Sequence, residues 1–106
     1  PFPVGIPSMD QISLRNPDQL WAVIQDRKPV QMLMGHIHRP IGGVWRGIPL
    51  HIQRATNHQV AFDEHKIERI PGSSEAPDFS KVIVSEDTLL IHQISYQASQ
   101  ISYYLN

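Results

Sequence analysis

The pattern of apolar and polar positions divides the chain into an amino-terminal part with mixed helix and strand signals and a carboxyl-terminal part that is all β. Apolar residues recur at helical spacing over residues 20–24, and the run 30–34 is almost entirely apolar. The first pattern predicts an amphipathic helix, and the second predicts a strand buried on both faces of a sheet. From residue 41 onward, short β-branched runs separated by turn residues predict strands. The pattern as a whole predicts an α+β fold.

The predicted helix has clear start and stop signals. Asn16 is a favourable N-cap residue, Pro17 suits the first helical position, and Asp18 in the first turn complements the helix dipole. Pro29 cannot continue a helix, so we predict that the helix ends before it, with the two cations at 27–28 near its carboxyl end. The apolar stripe of this helix would cover one face of a sheet.

The remaining elements are predicted to be strands joined by turns and one loop. Ile48, Leu50 and Ile52 alternate onto one face of a strand, and Pro49 places that strand at an edge or near its own start. Residues 70–80 are rich in Pro, Gly and Ser, which predicts a loop. The predicted strands are residues 42–46, 48–54, 60–62, 81–84, 88–96 and 101–105, the last three forming an antiparallel meander.

Composition excludes several functional classes. Nine Lys and Arg residues balance ten Asp and Glu residues without a run of like charge, so we expect neither a nucleic-acid polymer nor an anionic membrane as partner. The absence of cysteine excludes disulfides and thiolate ligands, leaves His and carboxylate as the strong metal ligands, and favours a cytoplasmic protein. No apolar run approaches the roughly 18 residues that span a bilayer.

The most informative stretch is the sequence Gly35-His36-Ile37-His38, which follows the predicted buried strand. Side chains at positions i and i+2 of an extended chain point to the same side, so both imidazoles could face one pocket and bind metal. Ligands bind at the carboxyl ends of strands in open α/β sheets, which favours a metal site. Because six histidines among 106 residues give about 0.3 such pairs by chance, the spacing also fits a structural pair.

Around this motif the chain resembles the calcineurin-like metallophosphoesterases, most closely their bacterial cyclic-nucleotide and glycerophosphodiester phosphodiesterase branch. The segment 1–6 resembles the residues after that branch's His-His-Pro motif, and Met9-Asp10 and the helix from Asn16 fall where the branch has them. The loop 55–59 resembles its Gly-Thr-x-His-Gln loop. The resemblance covers residues 1–62 and implies the carboxyl-terminal part of a four-layer α/β/β/α fold, with residues 63–106 as a β extension used in oligomerisation.

The resemblance also implies a two-metal site that hydrolyses cyclic nucleotides or small glycerophosphodiesters. Of the five family motifs, Asp-x-His, Gly-Asp, Gly-Asn-His, a lone His and Gly-His-x-His, only the last is present. His36 would bind the second metal ion and His38 the first, the ions being Mn, Fe or Zn. His58 would contact a phosphate oxygen, with Arg39 and Asn57 as weaker candidates. Because the bridging Asp is absent, we expect a fragment cut from a larger phosphodiesterase and inactive alone.

We expect the other three histidines to be structural or exposed rather than functional. We expect His51 to face outward on an edge strand and His92 to lie exposed in a β run. The cluster Asp63-Glu64-His65 is typical of a solvated turn rather than a metal site. A rival explanation for the whole chain is a self-contained, non-catalytic β-rich module for binding or oligomerisation, in which the His36 and His38 pair is incidental. Under either explanation, unpaired strands and apolar surface predict a homo-oligomer.

Overall fold

The predicted mixture of helix and strand is confirmed in a computed structural model of the protein, which describes residues 1–97 and 103–105. These residues form two helices and seven strands arranged in three small sheets. The elements are α1 (Pro7–Asp10), α2 (Pro17–Ile24), β1 (Met32–Met34), β2 (Ile41–Trp45), β3 (Ile48–Ile52), β4 (Gln59–Val60), β5 (Gly72–Ser73), β6 (Asp78–Val84) and β7 (Leu89–Ser95). Neither helix in the described part of the chain is long and apolar enough to cross a membrane.

The largest sheet is organised around the hairpin of β2 and β3. Its two-residue turn places Arg46 at φ 50° and Gly47 at φ 83°, the left-handed conformation that a type I′ hairpin turn requires. The alternation predicted for β3 is confirmed, because Ile48, Leu50 and Ile52 are all buried in the core. The hairpin therefore fixes the central strand on which the rest of the amino-terminal part is assembled.

The prediction for the strand at 30–34 is wrong in two respects. The strand is shorter, β1 alone, and it lies at the edge of the sheet in the order β1-β3-β2. Val30 is 80% exposed and Leu33 is 56% exposed, so this segment is not buried on both faces. Among the described residues β1 has one neighbouring strand and packs only Met32 and Met34 against the core. An apolar run alone does not reveal how many neighbours a strand has.

β3 is consequently the central strand of its sheet rather than an edge strand. Pro49 is nevertheless tolerated, because the pairing between β1 and β3 starts at Leu50, one residue later. At Pro49 itself, the partner of β3 among the described residues is β2 alone, through Val44. The proline therefore precedes the stretch of β3 that pairs with β1, where its missing N–H would cost a hydrogen bond between strands. The prediction that this proline lies near the start of its strand is confirmed.

Helix α2 starts where the sequence predicts and ends earlier. Pro17 is its first residue and Asn16 is its N-cap, although the Asn16 side chain donates to Gln19 Oε1 at 2.9 Å instead of capping the backbone. The helix ends at Ile24, so the cations at 27–28 lie beyond its last turn, contrary to the prediction. Trp21 packs edge-on against Trp45 of β2 with ring centroids 5.8 Å apart, which agrees with the predicted position of the helix over one face of the sheet.

The remaining strands form two separate pairs. β4 pairs with β5, and β6 pairs with β7, both antiparallel. The loop predicted at 70–80 is therefore partly wrong, because it contains β5 and the first residues of β6. The predicted hairpin between β6 and β7 is confirmed. Of the third meander strand, predicted at 101–105, residues 101 and 102 lie outside the described residues and 103–105 are not in a strand.

Candidate functional site

Two loops that carry histidines meet at one edge of the largest sheet. β1 and β3 run parallel, so both strands end at the same edge. The backbone N–H of Gln53 donates to the carbonyl of Met34 at 2.8 Å and extends this pairing beyond β3. The loop after β1 carries His36 and His38, and the loop after β3 carries His58. Parallel pairing therefore brings together residues that lie 20 positions apart in the sequence.

The backbone at the histidine pair is not extended. His36 has φ 74° and His38 has φ 55°, so both residues lie in the left-handed region. Our prediction that extended geometry aligns the two side chains is therefore wrong, because the chain turns immediately after β1. A left-handed non-glycine residue costs about 1–3 kcal/mol, and such residues cluster at functional sites. His36 is exposed, whereas His38 is half-buried.

His38 is held against the loop that contains His58. Its Nδ1 lies 3.0 Å from the carbonyl oxygen of His58, and the two rings are in contact with centroids 4.5 Å apart. The N–H of Val60 also donates to the carbonyl of His38 at 3.1 Å. Because a carbonyl oxygen can only accept, the contact selects the tautomer of His38 with hydrogen on Nδ1. Nε2 of His38 then keeps a free lone pair, as a metal-binding imidazole requires.

The loop between β3 and β4 is closed by Gln59, a residue whose role the sequence analysis does not identify. Gln59 is 1% exposed, and its side-chain amide pairs with both backbone groups of Ala55. Gln59 Oε1 accepts from the Ala55 N–H at 3.0 Å, and Nε2 donates to the Ala55 carbonyl at 2.7 Å. The hydroxyl of Tyr96 donates to the carbonyl of Thr56 at 2.5 Å. The sequence feature that could have indicated this role is the position of the glutamine between a polar loop and an apolar strand.

Arg39 and Asn57, the weaker substrate-contact candidates, occupy different surroundings. Arg39 donates from Nη1 to the carbonyl of Val60 at 3.3 Å and forms an ion pair with Glu75 at 3.4 Å. Its guanidinium also lies 5.8 Å from the ring centroid of Phe62. Asn57 is exposed in the same loop as His58. The structure thus ties Arg39 to its own chain and leaves Asn57 in solvent.

The three other histidines lie outside the two loops that meet at this edge of the sheet. The side chain of His65 is 84% exposed, with Nε2 3.7 Å from Glu64 Oε1. The backbone N–H groups of His65 and Lys66 donate to Asp63 and hold the pKa of its carboxyl below the usual value, as in a solvated turn. His92 is exposed in β7. His51 lies on the central strand, not on an edge strand as predicted, because β1 flanks β3.

The donor set fits part of a metal site. His36 and His38 flank the same turn, and the fixed tautomer of His38 leaves Nε2 available. Across residues 1–97 and 103–105, no group of three or more His, Cys, Asp or Glu side chains is placed to hold a metal ion. These residues could therefore supply ligands to a metal centre but do not complete one.

A cavity of about 370 Å³ opens beside His36. Its wall is mainly apolar and includes Phe2, Leu14 and Ile52. This volume lies within the range of small-molecule pockets. His36 thus borders a space that could take an organic group.

Comparison with known proteins gives an informative match. No protein-family model matches the chain. Over 97 residues the chain is 56% identical to a protein of Rhodopseudomonas palustris named as a probable cyclic nucleotide phosphodiesterase. The match covers 91% of this chain, and the chain spans only 35% of that relative's length. The chain is therefore similar to about a third of a protein named as a phosphodiesterase, the class of enzyme that the sequence motifs imply.

Proposed function

We propose that these residues form the carboxyl-terminal part of a dinuclear metal-dependent phosphodiesterase of the calcineurin-like class. The substrates would be cyclic nucleotides or small glycerophosphodiesters. The 56% identity to the protein named as a probable cyclic nucleotide phosphodiesterase carries this proposal. The position of His36 and His38, directly after a strand at the edge where two parallel strands end, supports it.

In this proposal His36 and His38 each donate one ring nitrogen to a metal ion. When bound, two divalent cations such as Mn, Fe or Zn would activate a water molecule and neutralise charge on the phosphodiester. His38 would bind through Nε2, because the carbonyl of His58 orients its Nδ1. His58 would donate to a phosphate oxygen from its ring, with Arg39 and Asn57 as weaker candidates for the same role.

The apolar cavity beside His36 supports a small-molecule substrate. A nucleobase or another organic group of the diester would occupy the space between Phe2, Leu14 and Ile52 while its phosphate lies at the histidines. Balanced charge agrees with such a substrate better than with a nucleic-acid polymer. We retain the cytoplasm as the proposed compartment because the 106 residues contain no cysteine.

The 106-residue chain alone should not hydrolyse phosphodiesters. The described residues contain two proposed ligands and no group of three that could hold a metal ion. Rigorously purified chain, assayed with bis(p-nitrophenyl) phosphate and added Mn, Fe or Zn salts, should give no turnover above buffer. The intact native protein, assayed in parallel, should turn the substrate over. Hydrolysis by the 106-residue chain would contradict the proposal that these residues supply only part of the metal site.

A second candidate function is a non-catalytic module for oligomerisation, and the ribbon formed by β6 and β7 favours it. Among the described elements, neither strand lies beside a third strand or a helix, and Asp78 and Ser80 attach the start of β6 to Gln53. The neighbouring cross-strand pairs Val84 with Leu89 and Ile83 with Leu90 face opposite sides, so both faces are apolar near the turn. Val84 is 69% exposed and Leu90 is 49% exposed. A two-stranded ribbon is marginally stable alone, and exposed apolar surface favours association.

We therefore expect the chain to self-associate through this ribbon. Light scattering over a concentration series should give a mass above the 12.1 kDa of one chain. The double variant Val84→Lys/Leu90→Lys should shift the chain toward the monomer, because it places charges on both faces of the ribbon. The control His92→Lys, at an exposed polar position of β7, should not. A stable 12.1 kDa species at high micromolar concentration would contradict the prediction.

A further inference from the structure

The carboxylate of Glu75 connects the loop that carries His38 with the loop that carries His58. Glu75 Oε1 lies 3.4 Å from Nη1 of Arg39, and Glu75 Oε2 lies 2.9 Å from Nη2 of Arg54. Arg39 directly follows His38 in the first loop. Arg54 opens the second loop, which carries His58. Glu75 therefore bridges the two segments whose relative position determines the contact between His38 and His58.

Both arginines are anchored at further points. Arg39 Nη1 also donates to the carbonyl of Val60, two residues after His58. Arg54 Nη1 donates to the carbonyl of Ala76 at 3.2 Å and lies 3.8 Å from Asp78 Oδ2. The buried carboxylate of Asp78 in turn accepts from Gln53 Nε2 at 2.5 Å. The ion pairs thus form a connected network rather than an isolated surface pair.

The partial burial of the two arginines distinguishes this network from an ordinary surface salt bridge, although Glu75 itself is exposed. The side chains of Arg39 and Arg54 are 26% and 22% exposed, and that of Glu75 is 40% exposed. Exposed single ion pairs contribute little to stability, but networks with well-placed guanidinium groups hold a defined geometry. Loss of the Glu75 charge would remove the carboxylate that Arg39 and Arg54 share and leave Arg54 with Asp78. Repulsion between the two guanidinium groups would then favour separation of the loops.

We propose that Glu75 is a positioning residue that keeps His38 in its metal-binding tautomer by holding the two loops together. This inference rests on the proposed function for its metal-binding part. Its structural part, the dependence of the His38 tautomer on Glu75, concerns the metal-free protein and can be measured without activity. Glu75 acts through Arg39 and Arg54 on the contact between His38 Nδ1 and the carbonyl of His58.

The test compares Glu75→Gln, which removes the charge with little change in shape, with Glu75→Asp, which keeps the charge. The control is Glu68→Gln, in an exposed stretch of the chain. Nitrogen-15 NMR of the metal-free native protein should show less of the Nδ1–H tautomer of His38 in Glu75→Gln and recovery toward the original population in Glu75→Asp. Manganese affinity, measured by calorimetry, should fall about 10- to 100-fold in Glu75→Gln, as for other residues that orient metal ligands.

The outcomes separate the two proposals. An unchanged His38 tautomer and manganese affinity within about twofold in Glu75→Gln would overturn the role of Glu75. If the unsubstituted protein binds no manganese and hydrolyses no diester, the proposed function fails, and the tautomer measurement still decides the structural part. Should Glu75→Gln not fold, Arg39→Lys, which removes the guanidinium fork, should produce the same tautomer change. A tautomer population unaltered by Arg39→Lys would also overturn the inference.

Discussion

Substitution of His38 by alanine in the native protein should lower kcat/KM for a cyclic nucleotide by about a thousandfold or more. The substitution removes a proposed metal ligand and also the contact with the carbonyl of His58. Changes in residues that merely orient a ligand cost about 10- to 100-fold, so removal of a ligand itself should cost more. Initial-rate kinetics with metal content measured on the same samples would check this prediction.

His36→Ala should have an effect of similar size, because His36 is the second proposed ligand. The matched control is His65→Ala, whose side chain is 84% exposed in a solvated turn and should leave the rate within about twofold. Equal losses in all three variants would refute the assignment of the site. Full activity with His38→Ala would refute the role of His38 in particular.

Substitution of Gln59 by alanine should lower the free energy of unfolding of the chain by about 3 kcal/mol. The change removes two hydrogen bonds to Ala55, leaves both backbone groups without those partners, and opens a cavity at a side chain that is 1% exposed. Urea unfolding followed by tryptophan fluorescence would measure the loss.

Two further variants test whether the loss of stability comes from the hydrogen bonds between the Gln59 amide and Ala55. Gln59→Glu keeps the shape, but an ionised carboxylate cannot donate to the Ala55 carbonyl, so we expect a comparable loss at neutral pH. Gln93→Ala, at an exposed position of β7, should change the free energy of unfolding by less than about 0.5 kcal/mol. Equal stabilities of Gln59→Ala and Gln93→Ala would show that the amide pairing does not hold the loop.

Elements governed by local sequence can be predicted. Pro17 fixes the start of α2, and the two strands predicted on either side of Gly47 form the hairpin of β2 and β3. Arg46, predicted in the first strand, instead lies in the turn, where a two-residue connection needs left-handed backbone. The β6–β7 hairpin is likewise visible from two β-branched runs separated by a short polar turn. In each case the residues that determine the structure are close together in the chain.

Features that depend on distant pairing cannot be predicted in this way. The position of β1 at the sheet edge depends on β3, and the short strand β5 exists because Gly72 pairs with Val60. The histidines at 36, 38 and 58 are candidates from sequence, but the backbone predicted for the pair is wrong, since nothing local distinguishes an extended His-x-His from one with positive φ. Glu75 escapes sequence analysis because its partners lie 21 and 36 residues away.

The most direct test of the central claim is a crystal structure of the native protein loaded with zinc, with the metal located by anomalous scattering. The proposal predicts a zinc ion about 2.1 Å from a ring nitrogen of His36 and another at the same distance from Nε2 of His38. Zinc ions bound elsewhere, with both imidazoles free of metal, would contradict it.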